Sequence, residues 1–88
     1  MAAYSVFSKP SVERDLRRLP RGAVDRVMER IAALANKPFP RDAVKLSGAE
    51  RLYRLRAGDY RIVYEVDTAL LRVTVHYVRH RRVAYRGL

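Results

Sequence analysis

The sequence predicts an α+β fold with the order β-α-α-β-β-β, in which a helix hairpin packs on a small, mainly antiparallel sheet. Three observations predict it. Two segments in the first half, up to Leu19 and from Ala23 to Ala35, repeat apolar residues at three- and four-residue spacing, the period of an amphipathic helix. The stretch from Leu52 to Val66 alternates every second residue about a central glycine, as a β-hairpin does. A further run, Leu70 to Val78, is rich in β-branched residues and follows a second turn at Asp67-Thr68-Ala69. Eighty-eight residues without repeat, linker or low-complexity segment predict one domain spanning 1–88.

Tyr4 to Phe7 reads as a short apolar strand. Ser8 is the expected N-cap of the first helix, and Pro10 falls in its first turn, where a missing N–H does little harm. Val12, Leu16 and Leu19 lie at i, i+4 and i+7 and form its buried stripe, leaving Arg14, Arg17 and Arg18 outside; Pro20 stops it. Pro20-Arg21-Gly22 leads into the second helix, whose apolar face is Val24, Val27, Met28, Ile31, Leu34 and Ala35. Asp25, Glu29 and Arg30 are placed for surface pairing, and Asn36 for a left-handed C′ position with Pro38 beyond. Lys37 to Arg51 is irregular, with Phe39 and Leu46 as anchors to the core.

The hairpin is the most informative stretch. Its first strand is Leu52 to Arg56, its turn Ala57-Gly58-Asp59, and its second strand Tyr60 to Val66. Side chains alternate between faces, so Arg54 and Arg56 share one side while Tyr53 and Leu55 share the other. Tyr60, Ile62, Tyr64 and Val66 form an apolar face and Arg61 points away from it. Three guanidinium groups thus stand on the face opposite the core, a cradle suited to phosphates. In the last strand both faces are largely apolar, which predicts a central position, and parity alone leaves open which face holds Arg79 and Arg81.

Nineteen Lys and Arg against nine Asp and Glu give a formal net charge of +10. Only Lys9, Lys37 and Lys45 are lysines. Arginine's planar fork suits phosphate and stacks on bases; codon usage in a high-GC genome explains the same bias equally well. The charge favours an anionic partner, nucleic acid or acidic protein. Without cysteine there are no disulfides or thiolate metal sites. No apolar run approaches a membrane span and Met1-Ala2-Ala3-Tyr4 does not read as a signal peptide, so no membrane association and a cytoplasmic setting are expected. No glycine-rich nucleotide loop is present, and His76 and His80 lack the neighbouring ligands of a metal site, so neither cofactor nor metal is expected.

The run Tyr53-Arg54-Leu55-Arg56, then Gly58-Asp59-Tyr60-Arg61-Ile62-Val63-Tyr64, resembles the RelE/ParE superfamily of bacterial and archaeal toxins. Tyr4-Ser5-Val6-Phe7-Ser8, Asp15-Leu16-Arg17-Arg18-Leu19-Pro20, Lys45-Leu46-Ser47-Gly48 and the tail Val78-Arg79-His80-Arg81-Arg82-Val83-Ala84-Tyr85-Arg86 fit the same pattern in the same order. The resemblance implies a type II toxin that cleaves mRNA in the ribosomal A site without a metal. It implies a cognate antitoxin as partner, through which the complex would bind operator DNA. Carried over residue by residue, it implies Arg61, Arg81 and Tyr85 as the catalytic set and Arg54, Arg56, Lys45 and His80 as substrate-binding residues.

One departure stands out. RelE enzymes place lysines on the first hairpin strand, one of them in proton transfer, whereas this chain has Arg54 and Arg56. With a pKa above ~12, neither is a useful base at neutral pH. The base is then His80 or Tyr85, or the mechanism relies on electrostatics and positioning, or nuclease activity is weak or silent. Apart from the resemblance, the arginines also read as ordinary surface charge, Tyr85 as a packing residue and His76 as a half-buried strand histidine. Two other functions fit the same fold: a ParE-like poison of DNA gyrase, and a non-catalytic basic module that binds RNA or protein. The joint presence of Arg61, Arg81 and Tyr85 leans toward the ribonuclease.

Overall fold

A computed structural model describes residues 3–48 and 50–82. The elements are β1 (Ser5–Ser8), α1 (Pro10–Arg17), α2 (Arg21–Ala33), β2 (Val44–Lys45), β3 (Leu52–Ala57), β4 (Tyr60–Asp67) and β5 (Arg72–His80). The sheet order is β1-β5-β4-β3-β2; β1 runs parallel to β5 and the remaining pairs are antiparallel. The α+β architecture is as predicted, with one strand more. β2 was not foreseen because two residues carry no readable alternation.

Local ends differ from expectation for identifiable reasons. Ser8 does not cap α1: it belongs to β1, opposite Val75, and Lys9 is the N-cap, its N–H donating to Val75 O at 2.9 Å. Pro10 opens the helix. α2 starts two residues earlier than predicted because the Pro20 carbonyl already accepts from Ala23 and Val24 N–H at 2.9 and 3.1 Å. Asn36 is not left-handed; its N–H and that of Lys37 both reach Ala33 O, satisfying the helix end without a positive-φ residue. β5 starts at Arg72 rather than Leu70, because Asp67 Oδ1 accepts from Leu70 N–H at 3.0 Å and Leu71 takes φ 52° to finish the turn. Gly58 has φ 60°, the first central position of a type II′-like turn closed by Ala57 opposite Tyr60.

The helices cover one sheet face, α1 over β5 and α2 over β3 and β4. The core between them holds Val12, Val27, Ile31 and Leu34 against Leu55, Ile62, Tyr64, Val66, Val73, Val75 and Val78. Met28, assigned to the buried face, is 46% exposed, and Phe39 is about as exposed while its ring meets Tyr53 edge-on at 5.1 Å. Tyr64 is fully buried, stacks on Tyr53 at 5.9 Å and donates its hydroxyl to Pro38 O at 2.9 Å.

The register of β5 resolves its parity. Val63 is opposite Tyr77 but Tyr64 is opposite Val75, so His76 is an extra residue, a β-bulge. Before the bulge, odd-numbered Val73 and Val75 face the helices. After it, even-numbered Val78 does, opposite Ile62. The bulge therefore turns Tyr77 and Arg79 to the open face and His80, opposite Tyr60, toward the helices.

Candidate functional site: an arginine row on the open sheet face

The alternation that buries Leu55, Ile62 and Tyr64 leaves Arg54, Arg56 and Arg61 on the uncovered face. Register makes the arrangement specific. Arg56 lies opposite Arg61, and Arg61 opposite Arg79, so three arginines stand side by side across β3, β4 and β5. The next row is Arg54, Val63 and Tyr77. Arg54, Arg56 and Arg61 line a cleft of about 260 Å³ with Asp42 and Val44. Nη1 of Arg61 is sealed from solvent. Like charges placed directly opposite one another destabilise a sheet, and a bound anion reverses that sign.

Among the described residues Asp42 is the one acid lining this cleft, and it is held from outside. Arg30 of α2 donates Nη2 to Asp42 Oδ2 at 2.6 Å and Nε to Arg56 O at 3.2 Å, replacing the pairing expected with Asp25 and Glu29. That carbonyl lies past the end of β2, so Arg30 continues the ladder that β2 leaves short. The hydrogen bond from Arg30 lowers the Asp42 pKa below its ordinary 3.8. A depressed folded-state pKa gives stability that is present above the unfolded value and is lost as pH falls through the folded one. Asp42→Asn should therefore cost about 0.2–1 kcal/mol near neutrality, the range of an exposed pair. Urea titrations should show the gap to wild type closing as pH drops below the carboxylate range; a gap of the same size in acid would mean that the pairing contributes nothing.

The residues inferred from sequence divide three ways. Arg54, Arg56 and Arg61 converge in the cleft. Arg81 sits at the hairpin turn: its N–H donates to Asp59 O at 2.7 Å and its Nε is 4.0 Å from Asp59 Oδ1, so the end of β5 is tied beside Gly58-Asp59. Lys45 and His80 stand elsewhere. Lys45 is opposite Tyr53 and shares its face, lining a shallow concavity of about 490 Å³ with Leu46, Ser47, Gly48 and Glu50. His80 meets Tyr60 edge-on at 5.4 Å and lines a hollow of about 390 Å³ with Asp15, Arg18 and Leu19, on the helix side. Its Nδ1 accepts from Arg82 N–H at 3.2 Å, which leaves the proton of the neutral ring on Nε2. Tyr85 lies outside the described residues.

Sequence reading missed Arg79, Tyr77 and Asp42 as members of this face. The half-buried His76 joins it too, its Nε2 donating to Glu65 Oε1 at 3.0 Å. Burial raises the Tyr77 phenol pKa and Arg79 opposes the shift. Among the described residues no three His, Asp or Glu side chains gather as a metal ligand set.

Comparison with known proteins agrees with this architecture. The family model for the ParE toxin of type II toxin–antitoxin systems matches residues 6–85. Toxin RelE of Mycobacterium tuberculosis is 32% identical over 84 residues, 94% of this chain and 87% of that one. The RelE–RelB complex of the archaeon Pyrococcus horikoshii contains a chain that superposes with a TM-score of 0.80 at 31% identity, covering 90% of this chain and 96% of that one. The toxin–antitoxin complex RelBE2 of M. tuberculosis gives 0.79 at 28% identity, covering 90% and 99%. The chain belongs to the RelE/ParE superfamily of type II toxin–antitoxin toxins.

Proposed function

We propose that this toxin is an endoribonuclease that cuts mRNA in the ribosomal A site and so arrests translation. The observation that carries this reading is the Arg56–Arg61–Arg79 row: directly opposed cations on an open face, unfavourable alone and favourable around a phosphodiester. In the proposed reaction the ribose 2′-oxygen attacks the adjacent phosphorus in line and loses its proton to a base. The bond from phosphorus to the 5′-oxygen breaks and that oxygen gains a proton. The products are a 2′,3′-cyclic phosphate and a free 5′-hydroxyl. Arg61, flanked by Arg56 and Arg79, would clamp the phosphate; Arg81, tied at the turn, would neutralise charge building on the phosphorane and the leaving group. Arg54 and Arg56 keep their protons and supply charge. His80 faces away from the cleft, so of the two bases considered Tyr85 remains, beside electrostatic stabilisation by the arginines.

The relatives solved with RelB support a cognate antitoxin here also; its acidic or apolar extended segment would cover the toxin, on the basic face or the helix hairpin. In this reading the complex binds operator DNA through the antitoxin, and the toxin acts on ribosomes in the cytoplasm. Among the described residues no helix is long and apolar enough to cross a membrane. The test is expression without a partner in a bacterial host, followed by pulse labelling. Protein synthesis should fall before DNA synthesis. DNA synthesis failing first, with gyrase–DNA adducts accumulating, would replace the ribonuclease by a gyrase poison.

A further inference from the structure

We propose that Tyr77 and Arg79 form a base-stacking subsite beside the arginine row, which takes one unpaired base of single-stranded RNA. The choice of RNA rests on the ribonuclease reading; the stacking chemistry rests on the geometry. The bulge at His76 turns both residues to the open face. The Arg79 guanidinium lies 4.3 Å above the Tyr77 ring, and Arg79 is also the β5 member of the arginine row. Arg79 thus belongs both to the pair with Tyr77 and to the row of phosphate donors.

The floor is apolar. Val63 is buried, yet it is not part of the core under the helices; register sets it between Arg54 and Tyr77 on the open face. Burial raises the Tyr77 pKa, so the ring is a neutral phenol at physiological pH. The same kind of pair recurs on this face: Arg72 lies 5.2 Å over Phe7, whose ring is half exposed. Unpaired RNA is recognised by this combination, bases on aromatic rings or guanidinium planes and phosphates on arginines, whereas paired bases are unavailable for it. Arg79 alone would be a phosphate contact; Arg79 over Tyr77 gives position along the strand.

The experiment uses a short single-stranded RNA with 2′-O-methyl groups throughout, which cannot be cut, and copies with one abasic position moved along it. Affinity is read by fluorescence anisotropy for wild type, Tyr77→Ala, Tyr77→Phe and Arg79→Ala, beside thermal melts. Tyr77→Ala should weaken binding to the intact RNA about 5- to 150-fold, the effect of losing one base–aromatic stack. Tyr77→Phe should bind like wild type. With one particular base removed, the Tyr77→Ala loss should nearly vanish, because there is no stack left to lose. A loss of equal size on intact and all abasic RNAs overturns the subsite, as does wild-type binding by a Tyr77→Ala protein that melts like wild type. If Tyr77→Ala does not fold, Arg79→Ala carries the comparison: its loss should shrink at the same abasic position, and a loss independent of position overturns the proposal. A wild type that shows Tyr77- and base-dependent binding but cuts no ribosome-bound mRNA would end the nuclease reading and leave the subsite standing. Cutting without that dependence would end the subsite alone.

Discussion

Arg61→Ala is expected to lower ribosome-programmed mRNA cleavage about 10²–10³-fold, as loss of one charge-assisted contact to a transition-state oxyanion does, while the melting temperature stays near wild type. The structure sharpens the second half of that expectation. Arg61 is half-buried on the face away from the helices, with an arginine directly opposite on each side. Removing it gives up packing of the side-chain stem but also relieves repulsion along the row, and the two effects oppose each other. Arg81→Ala should also depress cleavage. The double variant should lose less than the product of the single losses, because both groups would act on one transition state. Wild-type cleavage by an Arg61→Ala protein that melts normally would remove the arginine row from the active site.

The largest loss of stability is expected at Tyr64. Among the described residues its side chain is the largest fully buried one, set among Leu55, Ile62, Val66 and Val75 and stacked on Tyr53. Tyr64→Ala should cost about 3–5 kcal/mol, the range for truncating a buried aromatic ring. In a domain of this length that is roughly 15–30 °C of melting temperature. Tyr64→Phe keeps the ring and leaves Pro38 O without its donor, so about 1–2 kcal/mol is expected. Burial pushes the Tyr64 hydroxyl up to about 12. Because the unfolded chain releases that proton near the ordinary value of 10, stability should decline as pH rises between these two values, and the decline should be shallower in Tyr64→Phe. Denaturant titrations of the three proteins measure all of this. An alanine variant as stable as wild type would show that the interior does not depend on the ring.

The fold and the placement of half of the candidate site were legible in the sequence because the hairpin states its own geometry. Alternation between an apolar face and a face that carries the arginines fixes which side Arg54, Arg56 and Arg61 occupy, whatever they meet there. β5 was not legible because its faces are chemically alike and its period breaks at His76. A slip of one residue left no compositional trace, so Tyr77 and Arg79 went unnoticed as members of the open face. The same slip sends His80 toward the helices although its neighbour Arg81 lies at the hairpin turn. Asp42 was hidden differently. Its place in the cleft depends on Arg30 reaching across from α2, a contact between an irregular loop and a helix that no local pattern encodes.

The parallel pairing of β1 with β5 also bears on when the toxin comes into being. Ser5 is in register with Arg72 and Ser8 with Val75, so β1, the first of the described elements, finds its strand partner among the described residues in the last of them. Closing so long a loop slows folding, and no native arrangement of β1 exists until β5 has emerged. The helix pair and the hairpin can form earlier, but β5 also supplies Arg79 and the core residues Val73, Val75 and Val78. A nascent chain that has not yet extended through β5 thus lacks part of its core and one member of its arginine row. Its arginine row closes only once β5 has been made, an interval in which a partner already present can meet the chain before the row is complete.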